Sequence, residues 1–291
     1  MRSRASRHRE RKAAVGYRLR IMTSARHNRS YEAFLVDVDG VLTRGSQPLP
    51  EAVDGLKALQ ARGRVVLLTN NSTRSRSQLS NHLMALGFPV SAADIFATSY
   101  LAARYLRDVS NVAQVWVLGE EGLRTELAAA GHRLVERPTD ADWVVVGMDR
   151  GFDYAKLSQT LPALLTGAHL LVTNEDATFP TTEGLVPGAG AIAGALRGMG
   201  YAPDAVIGKP SSLAFAIALE ELGVPKKRVL VIGDRLETDI LGGSIAGMDT
   251  VLVLSGVSRE SDLADSAVRP TWVANNLAAV AAGAWRAFPS S

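Results

Sequence analysis

No cysteine occurs anywhere in the 291 residues, which excludes disulfides, thiolate nucleophiles and zinc–thiolate sites. Histidine is sparse: its five residues are scattered without a His-x-x-x-His spacing, so a histidine-bound metal is disfavoured. No apolar run approaches the roughly 18 residues needed to span a bilayer, so no membrane partner is expected. Internal repeats are absent too, and no low-complexity segment follows the first thirty residues. What is present, 47% hydrophobic and 21% charged residues, is ordinary for a soluble globular protein. The length suits one large or two medium domains with a sizeable core.

The formal net charge of +3 hides an uneven distribution. Residues 1–30 hold ten of the 32 basic residues and a single acid, Glu10. The rest of the chain therefore has 22 basic against 28 acidic residues, a net of −6. The arginine-rich start lacks apolar periodicity and a secretory hydrophobic segment, and is expected to be disordered. It can be read as an organelle transit peptide, a nucleic-acid-binding arm, or a leader upstream of a start at Met22. A functionally idle extension is the expectation. Nucleic-acid binding is disfavoured because the acidic body offers no cationic surface for a phosphate backbone.

Beyond residue 30, short buried strands alternate with amphipathic helices. Strands are predicted at Phe34–Val36, Arg64–Thr69 and Ile95–Thr98, with helices after Pro50 and around Leu79, Leu83 and Leu86. From about Tyr100 to Pro203 the alternation repeats as a unit of its own, with strands at 114–118, 143–147 and 169–173 and helices at 122–130 and 154–165. The body then resumes with a strand at 205–208, a helix at 212–222, a buried strand at 228–232, and a further strand at 250–254. Trp272-Val273 and the alanine-rich tail complete the sheet edge and a closing helix.

Polar residues gather where these strands end. Asp37 and Asp39 follow the first strand, Thr69, Asn70 and Asn71 the second, Lys209 the strand at 205–208, and Asp234 with Asp239 the strand at 228–232. In an open parallel sheet the ligand crevice lies beyond the carboxyl ends of the strands. Taken singly, each has a plain structural reading. Asp-x-Asp-Gly suits a turn leaving a strand, Thr69 a helix cap, Lys209 a solvated lysine and Asp239 a helix-surface charge. Taken together, they suit one reaction. An aspartate can attack a phosphoryl group, and a second carboxyl can protonate the leaving oxygen. Mg²⁺ accepts hard carboxylate and carbonyl oxygens, and a lysine with a hydroxyl can hold the phosphoryl oxygens. Two weaker matches fail. Gly188-x-Gly190 has its third glycine one residue late for a dinucleotide fingerprint. Gly208-Lys209 lacks the first glycine and the Ser/Thr of a P-loop.

Asp37-Val38-Asp39-Gly40-Val41, Leu68-Thr69-Asn70, Gly208-Lys209-Pro210 and Gly233-Asp234-Arg235-Leu236-Glu237-Thr238-Asp239-Ile240 resemble, in order, the four motifs of the haloacid dehalogenase (HAD) superfamily. Thr69–Ser72, Thr173–Asp176, Pro187–Ile192 and Leu254–Val257 are similar to the subfamily IIA branch of NagD and p-nitrophenyl phosphatases. The resemblance covers roughly residues 32–275. It implies an α/β fold: a Rossmann-like parallel-sheet catalytic core in two pieces (31–99 and 204–291) around an inserted α/β cap (100–203). It implies Asp37 as nucleophile and metal ligand, and Asp39 as general acid/base with its main-chain carbonyl on Mg²⁺. Thr69, Asn70 and Asn71 would bind the phosphoryl group, and Lys209 would offset its charge. Asp234 would be a direct metal ligand, and Asp239 would act through water or by positioning Lys209. Residues 174–180 of the cap would contact substrate.

The activity so implied is hydrolysis of a small phosphorylated metabolite (a nucleoside monophosphate, sugar phosphate, phosphoglycolate or glycerol phosphate) through an aspartyl-phosphate, in the cytoplasm, with a possible homodimer through the cap. The rival is a phospho-accepting switch domain with no turnover. The Asp-x-Asp spacing and the inserted unit argue against it. A carbon–halogen hydrolase is disfavoured, since dehalogenation has no use for Asp39 as an acid.

Overall fold

The computed structural model describes residues 30–181 and 184–288, so the basic extension, apart from Ser30, lies outside the described residues. The chain enters on β1 (Ala33–Val36) and turns through a short hairpin, β2 (Thr43–Arg44) and β3 (Gln47–Pro48). It continues through β4 (Arg64–Thr69) and β5 (Ile95–Ala97). The middle of the chain carries β6 (Gln114–Leu118), β7 (Arg133–Leu134), β8 (Trp143–Val146), β9 (His169–Val172), a hairpin β10 (Thr178–Thr181) and β11 (Gly184–Pro187), and β12 (Ala205–Val206). It returns on β13 (Val229–Gly233), β14 (Asp249–Val253), β15 (Trp272–Ala274) and β16 (Arg286–Ala287).

Seven of these strands form one sheet in the order β16-β15-β14-β13-β1-β4-β5, parallel except at the β15–β16 edge. β1 is flanked by β13 and β4, so the chain builds outward on one side, then on the other. That reversal beside β1 opens a crevice at the carboxyl ends of the strands, and Asp37 follows directly. The central strands read as unbroken apolar runs because both faces are covered. Leu35, Val66, Leu68 and Val231 face the helix Ser212–Leu222 through Ala214 and Phe215. Phe34, Val36, Leu67 and Ile232 face Leu56, Leu59, Leu79 and Leu83 of the helices Ala52–Gln60 and Arg76–Ala85. Each such side chain taken from water contributes roughly 1.5–3 kcal/mol, which fixes strand register and therefore where the polar strand ends fall.

The inserted segment has its own parallel sheet, ordered β12-β9-β8-β6-β7. Here the structure differs from the sequence reading. Ala205–Val206, expected to resume the core, pairs instead with Leu171–Val172 at the edge of the insert's sheet. Two half-buried residues carry no pattern that says which of two parallel sheets they join. The helix Thr98–Ser110 ties the units together, since Leu101, Ala102 and Leu106 pack in one cluster with core Phe96 and with Val115 and Leu123 of the insert. Thr98, expected to end a strand, starts this helix.

Candidate active site

The last main-chain bond of β1 runs from the Asp37 N–H to the Ile232 carbonyl (2.9 Å). Its carboxylate therefore leaves the sheet at the crevice. Lys209 reaches it from the loop after β12: Nζ donates to Asp37 Oδ1 (2.5 Å), Asp239 Oδ1 (2.6 Å) and the Leu68 carbonyl (2.8 Å). All three ammonium hydrogens are thus used, and lysine and both acids are buried. Asp239 comes from a single turn of π-helix, Leu236–Ile240, directly after β13. Its other oxygen accepts from the Arg235 N–H (3.2 Å) and the Thr238 hydroxyl (3.3 Å). Asp239 and Asp37 thus share the Lys209 ammonium.

Asp234 ends β13. Oδ2 accepts from the Val257 N–H (2.7 Å), while Oδ1 is buried and accepts no hydrogen bond among the described residues. A buried carboxylate oxygen without a partner is costly unless a cation sits on it. One oxygen each from Asp37, Asp234 and Asp239 lies within 4.8 Å of the other two. Hard carboxylate oxygens in that arrangement fit a divalent metal ion. The loop Gly40 and Gly256 pack against Asp234 so closely that a Cβ would fall 2.2 and 1.9 Å from Oδ2, and Gly40 takes φ +88°, where a side chain is strained.

The charges explain one another. Burial pushes the Asp37 carboxyl well above its ordinary range; Lys209 pulls it down, and Asp239, Asp234 and Asp39 push it further up. Burial works against the Lys209 ammonium, but Asp239 and Asp37 outweigh it and hold the group above its usual value. Burial, then Asp239, pushes Asp234 up to about 7, against the Val257 N–H. Asp39 is reached by solvent, yet the surrounding protein strips enough water to raise its carboxyl, against Lys209, Arg74 and Arg235. A cation among the carboxylates would reverse the upward shifts of Asp37 and Asp234.

The segment after β4 is held by its own side chains. The Thr69 hydroxyl accepts the Asn71 N–H (3.2 Å). Asn70 spends its side-chain amide on the Lys209 main chain: Oδ1 accepts its N–H (2.8 Å) and Nδ2 donates to its carbonyl (3.0 Å) and to Asp176 Oδ2 (3.1 Å). The Asn71 side chain makes a turn, accepting from the Thr73 and Arg74 N–H groups. The Asn70 and Asn71 side chains thus shape the loop and hold the Lys209 main chain. Asn174, within the segment expected to touch substrate, is buried and donates to the Asn70 carbonyl (2.9 Å). Ser72 accepts from the Met148 N–H (2.9 Å), and Gly122 donates to the Thr73 carbonyl (3.1 Å). The insert is therefore pinned onto this loop. Sequence reading missed Asn174 and Gly122 as loop supports and Gly256 as the packing partner of Asp234. The advance signal for Asn174 and Gly256 was their place in segments that resemble the family; Gly122 carried none.

Comparison with known proteins matches this arrangement. The profile of haloacid dehalogenase-like hydrolases matches residues 34–133, and a second profile of HAD-like hydrolases matches residues 206–280. The chain is 34% identical over 250 residues to the 5'-nucleotidase YutF of Bacillus subtilis, covering 86% of this chain and 97% of that protein. The solved p-nitrophenyl phosphatase from Archaeoglobus fulgidus superposes with a TM-score of 0.83 at 36% identity, over 87% of this chain and 99% of that one. A glycerol phosphate phosphatase from Mycobacterium tuberculosis, solved with magnesium, gives 0.79 at 35% identity, over 85% of this chain and 75% of that one. With the four motif segments gathered at one sheet rim, the chain belongs to the haloacid dehalogenase-like hydrolases, in their NagD-like phosphatase branch.

Proposed function

We propose that this phosphatase of small phosphoesters works by transferring the phosphoryl group first to Asp37 and then to water. An Asp37 carboxylate oxygen attacks phosphorus, the bond to the leaving oxygen breaks, and Asp39 gives that oxygen its proton. Asp39 then takes a proton from water as the water oxygen attacks phosphorus, releasing phosphate and the Asp37 carboxylate. Lys209, fixed by Asp239 and the Leu68 carbonyl, offsets charge on the nucleophile and the phosphoryl oxygens. Thr69, Asn70 and Asn71 complete the phosphoryl cradle. Asp37, Asp234 and the Asp39 main-chain carbonyl would hold Mg²⁺, which supplies neutralisation of phosphoryl charge. The magnesium in the mycobacterial relative favours that ion.

The observation that carries this reading is the buried Lys209 ion-paired to both Asp37 and Asp239 at the carboxyl end of β1. A switch domain is set aside by the hydrolase relatives. Those relatives are named for nucleotides, p-nitrophenyl phosphate and glycerol phosphate, which supports a small phosphorylated metabolite here. The reading includes a cytoplasmic location and pairing through the insert, which cell fractionation and sedimentation velocity would test. Among the described residues no helix is long and apolar enough to cross a membrane. Phosphate release from a panel of phosphomonoesters, with Mg²⁺ and then with EDTA, tests the activity. Metal-dependent release from at least one member is expected, and none from any member would overturn it.

A further inference from the structure

An acid must come within hydrogen-bond reach of the oxygen it protonates, so the side chains around Asp39 also surround the leaving group. Asp39 borders a small cleft of about 30 Å³ between the ends of β1 and β4, the β2–β3 hairpin and the helix Arg76–Ala85. Arg74 and His82 line it as well. Neither side chain has an evident structural task. Among the described residues, the Arg74 guanidinium and the His82 ring make no hydrogen bond or ion pair. Arg74 is fixed only through its main chain, by Asn71 Oδ1 and the Ser99 hydroxyl. Its neighbour Arg76 is different: it is committed to buried Glu126 (3.3 Å) and lies over the Tyr100 ring (3.7 Å).

We infer that Arg74 and His82 form a leaving-group subsite selecting phosphomonoesters whose alcohol carries a carboxylate a few atoms from the ester oxygen. The assignment rests on the phosphatase reading, with Asp39 as the acid. An arginine fork matches a carboxylate with two parallel N–H donors, and a neutral imidazole adds one more. The cleft is small and lined mainly by polar groups, which suits the two oxygens of a carboxylate. Every residue lining it belongs to the core. This part of substrate selection thus sits beneath the insert rather than on it.

The test compares kcat/KM for 2-phosphoglycolate and ethyl phosphate, which differ by the carboxylate, with Mg²⁺ saturating. The parent should prefer 2-phosphoglycolate by about tenfold or more, the worth of a charge-assisted hydrogen bond. R74Q should lose about tenfold to a hundredfold on 2-phosphoglycolate while changing less than about threefold on ethyl phosphate. H82Q should shift in the same direction by a smaller factor. A parent without preference overturns the inference. So does an R74Q variant that loses equally on both substrates, because Arg74 would then serve the phosphoryl group itself. Hydrolysis without selectivity refutes only the subsite. A parent that releases phosphate from neither these esters nor p-nitrophenyl phosphate refutes the phosphatase reading along with it.

Discussion

Replacing Lys209 with methionine removes the one cation inside a buried acid cluster. Side-chain exposure is 5% for Lys209, 11% for Asp37 and 2% for Asp239, so solvent offers little screening. Lys209→Met leaves two carboxylates without their shared partner, and the Leu68 carbonyl without its ammonium donor. Breaking a buried pair on one side costs roughly 3–5 kcal/mol. At about 2–4 °C per kcal/mol for a chain of this size, the metal-free variant should melt roughly 6–20 °C below the parent near neutral pH.

The pH dependence separates this cause from lost packing. Asp37 is already raised by burial with Lys209 present, and its ionised form becomes costlier still without it. A raised carboxyl contributes a penalty that is absent below its unfolded pKa and grows as pH rises toward its folded one. The difference in Tm should therefore be largest near pH 8 and shrink toward pH 5. Scanning calorimetry in EDTA reads it directly. A difference that is below about 3 °C, or that does not change with pH, would refute the charge argument.

Three further outcomes follow from the same geometry. Asp39→Asn should lower kcat/KM about 10²- to 10⁴-fold on alkyl phosphates and less on p-nitrophenyl phosphate, whose phenolate leaves without a proton; equal losses would argue against an acid role. Asp234, pushed up to about 7, must be ionised to hold a cation. With Asp37 raised as well, metal affinity measured calorimetrically should fall at least about tenfold per pH unit below 7, and a flat profile down to pH 5.5 would exclude Asp234 as a ligand. Gly256→Ala places a methyl 1.9 Å from Asp234 Oδ2, and the shift it forces should weaken metal binding about tenfold and cost about 1–3 kcal/mol. Parent-like binding would mean that the contact relaxes freely.

Legibility in the sequence followed the physics of each element. β1, β4 and β13 were evident because a strand covered on both faces must be continuously apolar, and their ends because Asp37, Thr69 and Asp234 break those runs. The short hairpins β2–β3 and β10–β11 were not, since two to four residues give no periodicity to read. Ala205–Val206 joins the insert's sheet rather than the core's, and its two residues are too short a run to indicate which. At the site, residue types pointed to chemistry but not to side-chain commitments. Asn70 and Asn71 have the polarity of phosphate ligands, yet their amides close a loop and hold Lys209. Arg74 and His82 meet at Asp39 only through packing of the helix Arg76–Ala85 against the sheet, and spacing alone does not reveal that meeting.

The most direct test of the account is the rate of p-nitrophenyl phosphate hydrolysis by Asp37→Asn with Mg²⁺ saturating. Asparagine keeps the shape of the side chain and still accepts from Lys209, but it is no nucleophile. Turnover should fall to background while the protein remains folded, as judged by its circular dichroism and melting curve. Hydrolysis at the parent rate would contradict the assignment of Asp37 as the group that takes the phosphoryl.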